Sequence, residues 1–96
     1  MLTHIVIWKY RDDVEADVRE THVSLLRGLA AKIPAIESLA VGSDVLKLPR
    51  SYHTGLVVAF RDRAALNDYT VHPEHIKVVV FGRAITEHIA SVDFED

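Results

Sequence analysis

The sequence predicts one α+β domain, spanning residues 1–96, in which strands and helices follow one another in a βαββαβ-like order. Its 96 residues suffice for a single hydrophobic core, and 49% hydrophobic with 26% charged residues is typical of a folded globular protein. Segments rich in β-branched and aromatic residues alternate with segments whose apolar residues recur at helical spacing. No repeat, low-complexity tract or linker interrupts this succession, so we expect no second domain.

The predicted strands follow from residue type. Leu2 to Tyr10 is rich in Ile, Val and aromatic residues, and Tyr52 to Phe60 has an apolar centre. Leu39 to Val45 is a plausible short strand, and Ile89 to Phe94 would complete the sheet.

The first helix is predicted from a capping signal and an apolar stripe. Asp12 with Glu15 three residues later has the spacing of a capping box, and Pro34 ends the helical pattern. The stripe consists of residues at helical spacing, namely Val18, His22, Leu25, Leu29 and Ile33. Gly28 interrupts this helix at a cost of up to ~1 kcal/mol relative to alanine. It either marks a close approach to the sheet or is tolerated.

Two further helices are predicted in the second half of the chain. Asp62 can cap a brief helix over Arg63 to Tyr69. Pro73 suits the first turn of another helix that runs to roughly Ala84 or beyond.

Both faces of the predicted sheet are apolar. On the first strand, the face with Val6 and Trp8 opposes one with Ile5 and Ile7. Because the few helices would cover a single face, a monomer would leave the other apolar face in water. We therefore expect a homodimer in which two open sheet faces pack around a two-fold axis, with the helices outside.

Composition excludes several classes of function. The formal net charge is −3 and the basic residues are scattered, so nucleic-acid binding is not expected. The chain has no cysteine, which excludes disulfides, thiolate metal sites and cysteine nucleophiles. It has neither a run of 18 apolar residues nor a secretory leader pattern, so we expect a cytoplasmic protein without membrane association.

The turn from Asn67 to His75 holds the best candidates for chemistry. A half-buried histidine such as His75 can accept a proton at neutral pH, and a tyrosine such as Tyr69 can donate to a carbonyl oxygen. Such a pair can remove a proton next to a carbonyl without any cofactor. The alternative is structural: Tyr69 packs its ring on the core, and His72 caps the helix that Pro73 begins.

Other candidate residues have two interpretations each. His4 is either a second polar contact in a pocket or a buried neutral histidine bonded to the backbone. Trp8 either forms a pocket wall or belongs to the core. His22 lies on the apolar stripe, which favours a packed residue with one nitrogen bonded.

A metal site is weakly indicated. His72 and His75 are three residues apart with Glu74 between them, but a zinc site needs at least three protein ligands. A metal site would require His4 or His88 to come close as a further ligand. Pro73, at the start of the helix, disfavours convergence of the His72 and His75 rings. We expect neither metal nor cofactor.

Four segments carry a family resemblance: Leu2 to Tyr10, Ile33 to Ile36, Val41 to Val45, and the D-Y-x-x-H-P-x-H turn from Asp68 to His75. Over essentially its whole length the chain resembles the stress-responsive A/B barrel (Dabb) domain family, and the turn is the most specific element. The resemblance implies a ferredoxin-like fold with a four-stranded antiparallel sheet, paired into a dimeric α/β barrel.

Plant members of this family that cyclise linear polyketides suggest site residues. Tyr69 and His75 match the tyrosine and the basic histidine of those cyclases, and His4 matches a pocket histidine. Leu26 replaces a tyrosine and Thr54 replaces a histidine. These departures argue against the same cyclisation, yet they keep an apolar wall and a small hydroxyl suited to a ligand.

Three functions follow as hypotheses. The first is a cofactor-independent enzyme or binder of a small hydrophobic oxygenated, polyketide-like compound that uses His75, Tyr69 and His4. The second is a non-catalytic dimer that supports stress tolerance through its stability. The third, by fold analogy alone, is a cofactor-free monooxygenase.

Overall fold

The computed structural model describes residues 1–96 as a four-stranded sheet with three helices. In chain order the elements are β1 (Leu2–Tyr10), α1 (Ala16–Lys32), β2 (Ile36–Ser43), β3 (Thr54–Phe60), α2 (Arg63–Val71), α3 (Pro73–Ile85) and β4 (Thr86–Glu95). The strand order is β2-β3-β1-β4, and every neighbouring pair is antiparallel. The predicted ferredoxin-like α+β fold is confirmed.

Strand boundaries differ from the predicted ones where pairing decides them. β1 has its predicted bounds, but β4 begins at Thr86, because Tyr10 pairs with that residue beyond an irregularity in the β1–β4 register. β2 begins at Ile36, because that residue already pairs with Phe60. Local residue type carries no information about these partners.

The predicted capping box of the first helix is wrong. The helix begins at Ala16, and Glu15 is the N-cap without a side-chain cap hydrogen bond. The buried stripe also differs in part: Val23 and Leu26 are buried whereas Leu25 is exposed. Packing of α1 against β2 and α3 selects the buried face, which helical spacing alone leaves ambiguous within one residue.

The caps of the other two helices have clear physical causes. The Asp62 carboxylate accepts a hydrogen bond from the Ala65 N–H at 2.9 Å and so begins α2. His72 accepts from the Glu74 N–H through Nδ1 at 3.1 Å and begins α3, whose first residue is Pro73. His72 therefore has the structural role that the sequence allowed. None of the three helices is long and apolar enough to cross a membrane.

The core lies between one face of the sheet and the helices. Alternate residues of β1 and β3 are buried there, among them Trp8 and the almost completely inaccessible Tyr10, Leu56 and Phe60. The opposite face stays open: Val57 on β3 is 44% exposed, and Val92 and Phe94 on β4 are 53% and 43% exposed. The apolar second face predicted from the sequence is thus present.

Candidate functional site

A cavity of about 250 Å³ lies between the sheet and α3. Most of its wall is apolar, from residues of β1, α1, β3 and α3: Val6, Trp8, Leu26, Leu56, Val78 and Val79. Its polar side chains include three histidines and one tyrosine: His4, His22, Tyr69 and His75. An apolar pocket with a few converging polar groups is the usual form of a small-molecule site.

Tyr69 presents its hydroxyl to this cavity. The residue is 2% exposed and its ring packs on Phe60, with ring centroids 5.0 Å apart. No fully buried side-chain oxygen or nitrogen in the chain lacks a hydrogen bond, yet the Tyr69 hydroxyl has no partner within the chain. The hydroxyl must therefore open onto the cavity. Burial raises the pKa of Tyr69 to about 12, so this hydroxyl stays protonated and can donate a hydrogen bond.

His75 lies against Tyr69 with its free nitrogen available. The two ring centroids are 4.0 Å apart. His75 donates from Nδ1 to the Thr70 carbonyl oxygen at 3.2 Å, which leaves Nε2 as the unprotonated atom of the neutral ring. Burial is the main cause that lowers the pKa of His75; the hydrogen bond to Thr70 opposes this, and the nearby rings of His4 and His72 lower the pKa further. At neutral pH this ring is therefore a base.

His4 adds a third polar ring beside the pair. Its ring lies edge-on to Tyr69, with centroids 5.8 Å apart. The Nδ1 atom of His4 is hydrogen-bonded to Asp93 on the neighbouring strand β4. Because this bond fixes the ring, Nε2 is the atom left for a ligand.

A buried polar cluster that the sequence did not reveal lies behind the cavity. The Tyr10 hydroxyl is 2.7 Å from His22 Nδ1 and 2.8 Å from the Thr54 hydroxyl. Burial lowers the pKa of His22 to about 4, so the ring is neutral and Nδ1 can accept a hydrogen bond from the Tyr10 hydroxyl. Gly82 makes room for this ring, since a β-carbon there would lie 2.8 Å from His22 Nε2. The histidine on the apolar stripe was the one available signal.

The structure brings together most of the candidate residues named from the sequence. Leu26 and Trp8 line the cavity with His4, Tyr69 and His75.

Thr54 does not line the cavity. Its side chain is bonded to Tyr10 instead, and it faces a second cavity of about 550 Å³ whose lining is mainly polar. Thr54 begins β3 and pairs with Trp8, whereas His4 pairs with Val58, nearer the other end of β3. The expected contact of Thr54 with the same ligand is therefore not supported.

The residues considered for a metal site do not converge. His72 caps α3 and His75 is bonded to Thr70. No group of three or more His, Cys, Asp or Glu side chains is arranged to hold a metal ion.

The family model for the stress responsive A/B barrel domain matches residues 2–96. The chain belongs to this family. The resemblance carried by β1 and by the D-Y-x-x-H-P-x-H turn is thereby confirmed.

Comparison with known proteins gives one similar sequence and two similar structures. Olivetolic acid cyclase of Cannabis sativa is 26% identical over 93 residues, which cover 95% of this chain and 92% of the cyclase. A dimeric ferredoxin-like protein from Thermobifida fusca superposes with a TM-score of 0.90 at 23% identity, over 99% of this chain and 90% of the other. A dimeric ferredoxin-like protein from Bacteroides fragilis superposes with a TM-score of 0.87 at 28% identity, over 99% of this chain and 95% of the other.

Proposed function

We propose that this A/B barrel protein binds a small apolar carbonyl compound in the cavity beside α3, and that His75 and Tyr69 transfer a proton next to the carbonyl. The observation that carries the proposal is the unpartnered Tyr69 hydroxyl, which opens onto the cavity against the ring of His75. Because this hydroxyl opens onto the cavity and has no hydrogen bond within the chain, it is free to donate to a ligand oxygen.

The proposed reaction needs only the residues of the cavity. His75 Nε2 takes a proton from the carbon next to the carbonyl, and the electron pair of that C–H bond moves to the oxygen as an enolate. The Tyr69 hydroxyl donates a hydrogen bond to this oxygen, where negative charge develops. The enolate then regains the proton from His75 at the same or another atom. His4 Nε2 offers a second polar contact to the ligand.

The relationship to olivetolic acid cyclase supports a pocket of this kind. Ring closure itself is not part of the proposal, because Leu26 supplies only an apolar wall and Thr54 does not reach the cavity. The proposed substrate is therefore a small hydrophobic oxygenated compound, without commitment to a polyketide chain length.

The test uses a simple ketone in place of the unidentified substrate. Benzylacetone is incubated with the protein in heavy water, and NMR follows exchange of the protons next to its carbonyl. Because a positioned base accelerates proton transfer by about 100-fold or more, His75→Ala should lose most of the exchange rate. Tyr69→Phe should lower the rate as well, since the enolate oxygen then lacks its donor.

His88→Ala is the matched control, because His88 is an exposed histidine on β4 outside the cavity. It should leave the exchange rate unchanged. If His75→Ala exchanges protons as fast as the original protein and mainly lowers the melting temperature, the turn is structural and the proposal fails. That outcome would favour the non-catalytic dimer.

We also propose that two copies pair through their open sheet faces. The similar proteins from Thermobifida fusca and Bacteroides fragilis are described as dimeric. Here the exposed side chains of Val57, Val92 and Phe94 form an apolar surface opposite the helices. Pairing there would bury this surface and leave the cavity beside α3 accessible.

A further inference from the structure

We propose that the ligand of the cavity beside α3 carries a single carboxylate, which Arg83 binds at the cavity mouth. This inference rests on the proposed function and adds the charge of the ligand to it.

Arg83 is the single permanently charged residue among those that line the cavity. The rest of the lining consists of apolar residues, neutral hydroxyl groups and histidines. An arginine keeps its charge at all physiological pH values and presents several N–H donors to a carboxylate. The fixed charge of the cavity is thus +1, and a monoanion complements it.

Arg83 has no carboxylate partner within the chain. Asp93 pairs with His4, and Glu87 pairs with Lys9 at 3.7 Å. Glu74 lies 3.8 Å from Lys32 and 3.5 Å from Lys77. Arg83 takes part in no ion pair and no side-chain hydrogen bond, so an anionic ligand meets no competing carboxylate on this guanidinium.

A purely structural role for Arg83 is the alternative. Arg83 lies in the last turn of α3, where a cation stabilises the negative end of the helix dipole. That end already has a cation, because Arg11 donates from Nη1 to the Ala84 carbonyl oxygen at 2.6 Å. The need for a second cation there is therefore small, whereas the cavity has no other fixed charge.

The ligand class follows from the whole lining. The apolar wall of Trp8, Leu26 and Leu56 accepts a hydrocarbon body, and the pair of Tyr69 and His75 accepts a carbonyl group. Arg83 selects an acid at the end that faces solvent. The cavity of about 250 Å³ restricts this acid to a small molecule.

Two probes of nearly equal shape test the charge. Hydrocinnamate and benzylacetone share the same phenylethyl body, but hydrocinnamate carries a carboxylate, anionic at neutral pH, where benzylacetone carries a neutral acetyl group. Their dissociation constants are measured by NMR chemical-shift titration on the intact protein. We expect hydrocinnamate to bind about tenfold more tightly than benzylacetone, as one charge-assisted hydrogen bond allows. Added salt should reduce this preference.

Variants of Arg83 test whether this residue causes the preference for hydrocinnamate over benzylacetone. Arg83→Gln should weaken hydrocinnamate binding about tenfold and leave benzylacetone binding unchanged. Arg83→Lys should keep part of the preference because it keeps the charge. Arg63→Gln is the matched control, since Arg63 is an exposed helical arginine outside the cavity, and it should alter neither constant.

The outcomes separate the two proposals. Equal binding of both probes, or a hydrocinnamate preference that survives Arg83→Gln, overturns the role of Arg83 while the carbonyl pocket stands. A loss of binding for both probes in Arg83→Gln indicates a structural effect and also overturns it. If neither probe binds the original protein, the pocket function fails together with this inference.

Discussion

The buried ring of His22 should make the protein sensitive to acid. Burial lowers the pKa of this histidine from 6.5 to about 4. The unfolded chain therefore binds a proton on His22 at a higher pH than the folded chain does. The contribution of His22 to the free energy of unfolding has its full value above pH 6.5, falls as the pH drops toward about 4, and is lost below that.

The size of this loss follows from the two pKa values. At about 1.4 kcal/mol per pKa unit, the interval corresponds to about 3 kcal/mol. A loss of this size is a large fraction of the ~5–15 kcal/mol that stabilises an ordinary domain. His22 is 1% exposed, so solvent does little to screen the effect.

The measurement compares the protein with a His22→Asn variant. The asparagine oxygen can stand where Nδ1 accepts from Tyr10, but it does not titrate. Urea unfolding followed by circular dichroism gives the free energy of unfolding at a series of pH values and one fixed protein concentration. The variant should be less stable near neutral pH, because part of a buried ring is removed, and should lose about 3 kcal/mol less on acidification.

Two results would refute the reasoning. One is a parallel pH dependence for the protein and for His22→Asn. The other is an NMR titration in which His22 protonates near 6.5 in the folded state. His88→Asn, at an exposed position, serves as the control and should follow the original protein.

Three further predictions concern packing, capping and assembly, and all can be read by thermal melting or light scattering. Gly82→Ala should destabilise the fold by ~1–3 kcal/mol, because the new methyl group would lie 2.8 Å from His22 Nε2. Gly28→Ala should instead stabilise α1 by ~0.5–1 kcal/mol, because no atom lies within 4 Å of the new methyl group. Equal melting shifts for the two variants would contradict this. Asp62→Ala should lower the free energy of unfolding by ~1 kcal/mol, because α2 loses its N-terminal cap. An unchanged melting temperature would show that this cap does not stabilise the fold. Val57→Asp should convert dimers to monomers in size-exclusion chromatography with light scattering, whereas a monomeric original protein at micromolar concentration would refute pairing altogether.

Local sequence signals predicted the elements that depend on nearby residues. The strand of Leu2 to Tyr10 needs only residue type and alternation, and the cap at Asp62 needs only a carboxylate three residues before a free N–H. The predicted capping box at Asp12 was wrong. The spacing of Asp12 and Glu15 fits the pattern, but the helix begins only at Ala16. Gly28 proved to be a tolerated glycine, since nothing approaches it.

The candidate site was only partly visible in the sequence. Tyr69 and His75 are six positions apart in one turn, so their proximity could be proposed from the motif. The bond between Tyr10 and Thr54 spans 44 positions, and that between His4 and Asp93 spans 89. Such contacts depend on strand order and register, which no local pattern specifies.

By itself the sequence determined the order of the elements, the two apolar faces of the sheet and the turn that carries Tyr69 and His75. Residue type and spacing control these features because they arise within a few residues of chain. The tertiary structure alone decided that Thr54 bonds to Tyr10 instead of lining the cavity, that Gly82 accommodates His22, and that Arg83 lines the cavity without an ion-pair partner. Each of these depends on which distant side chains close packing brings into contact, and packing is a property of the folded chain.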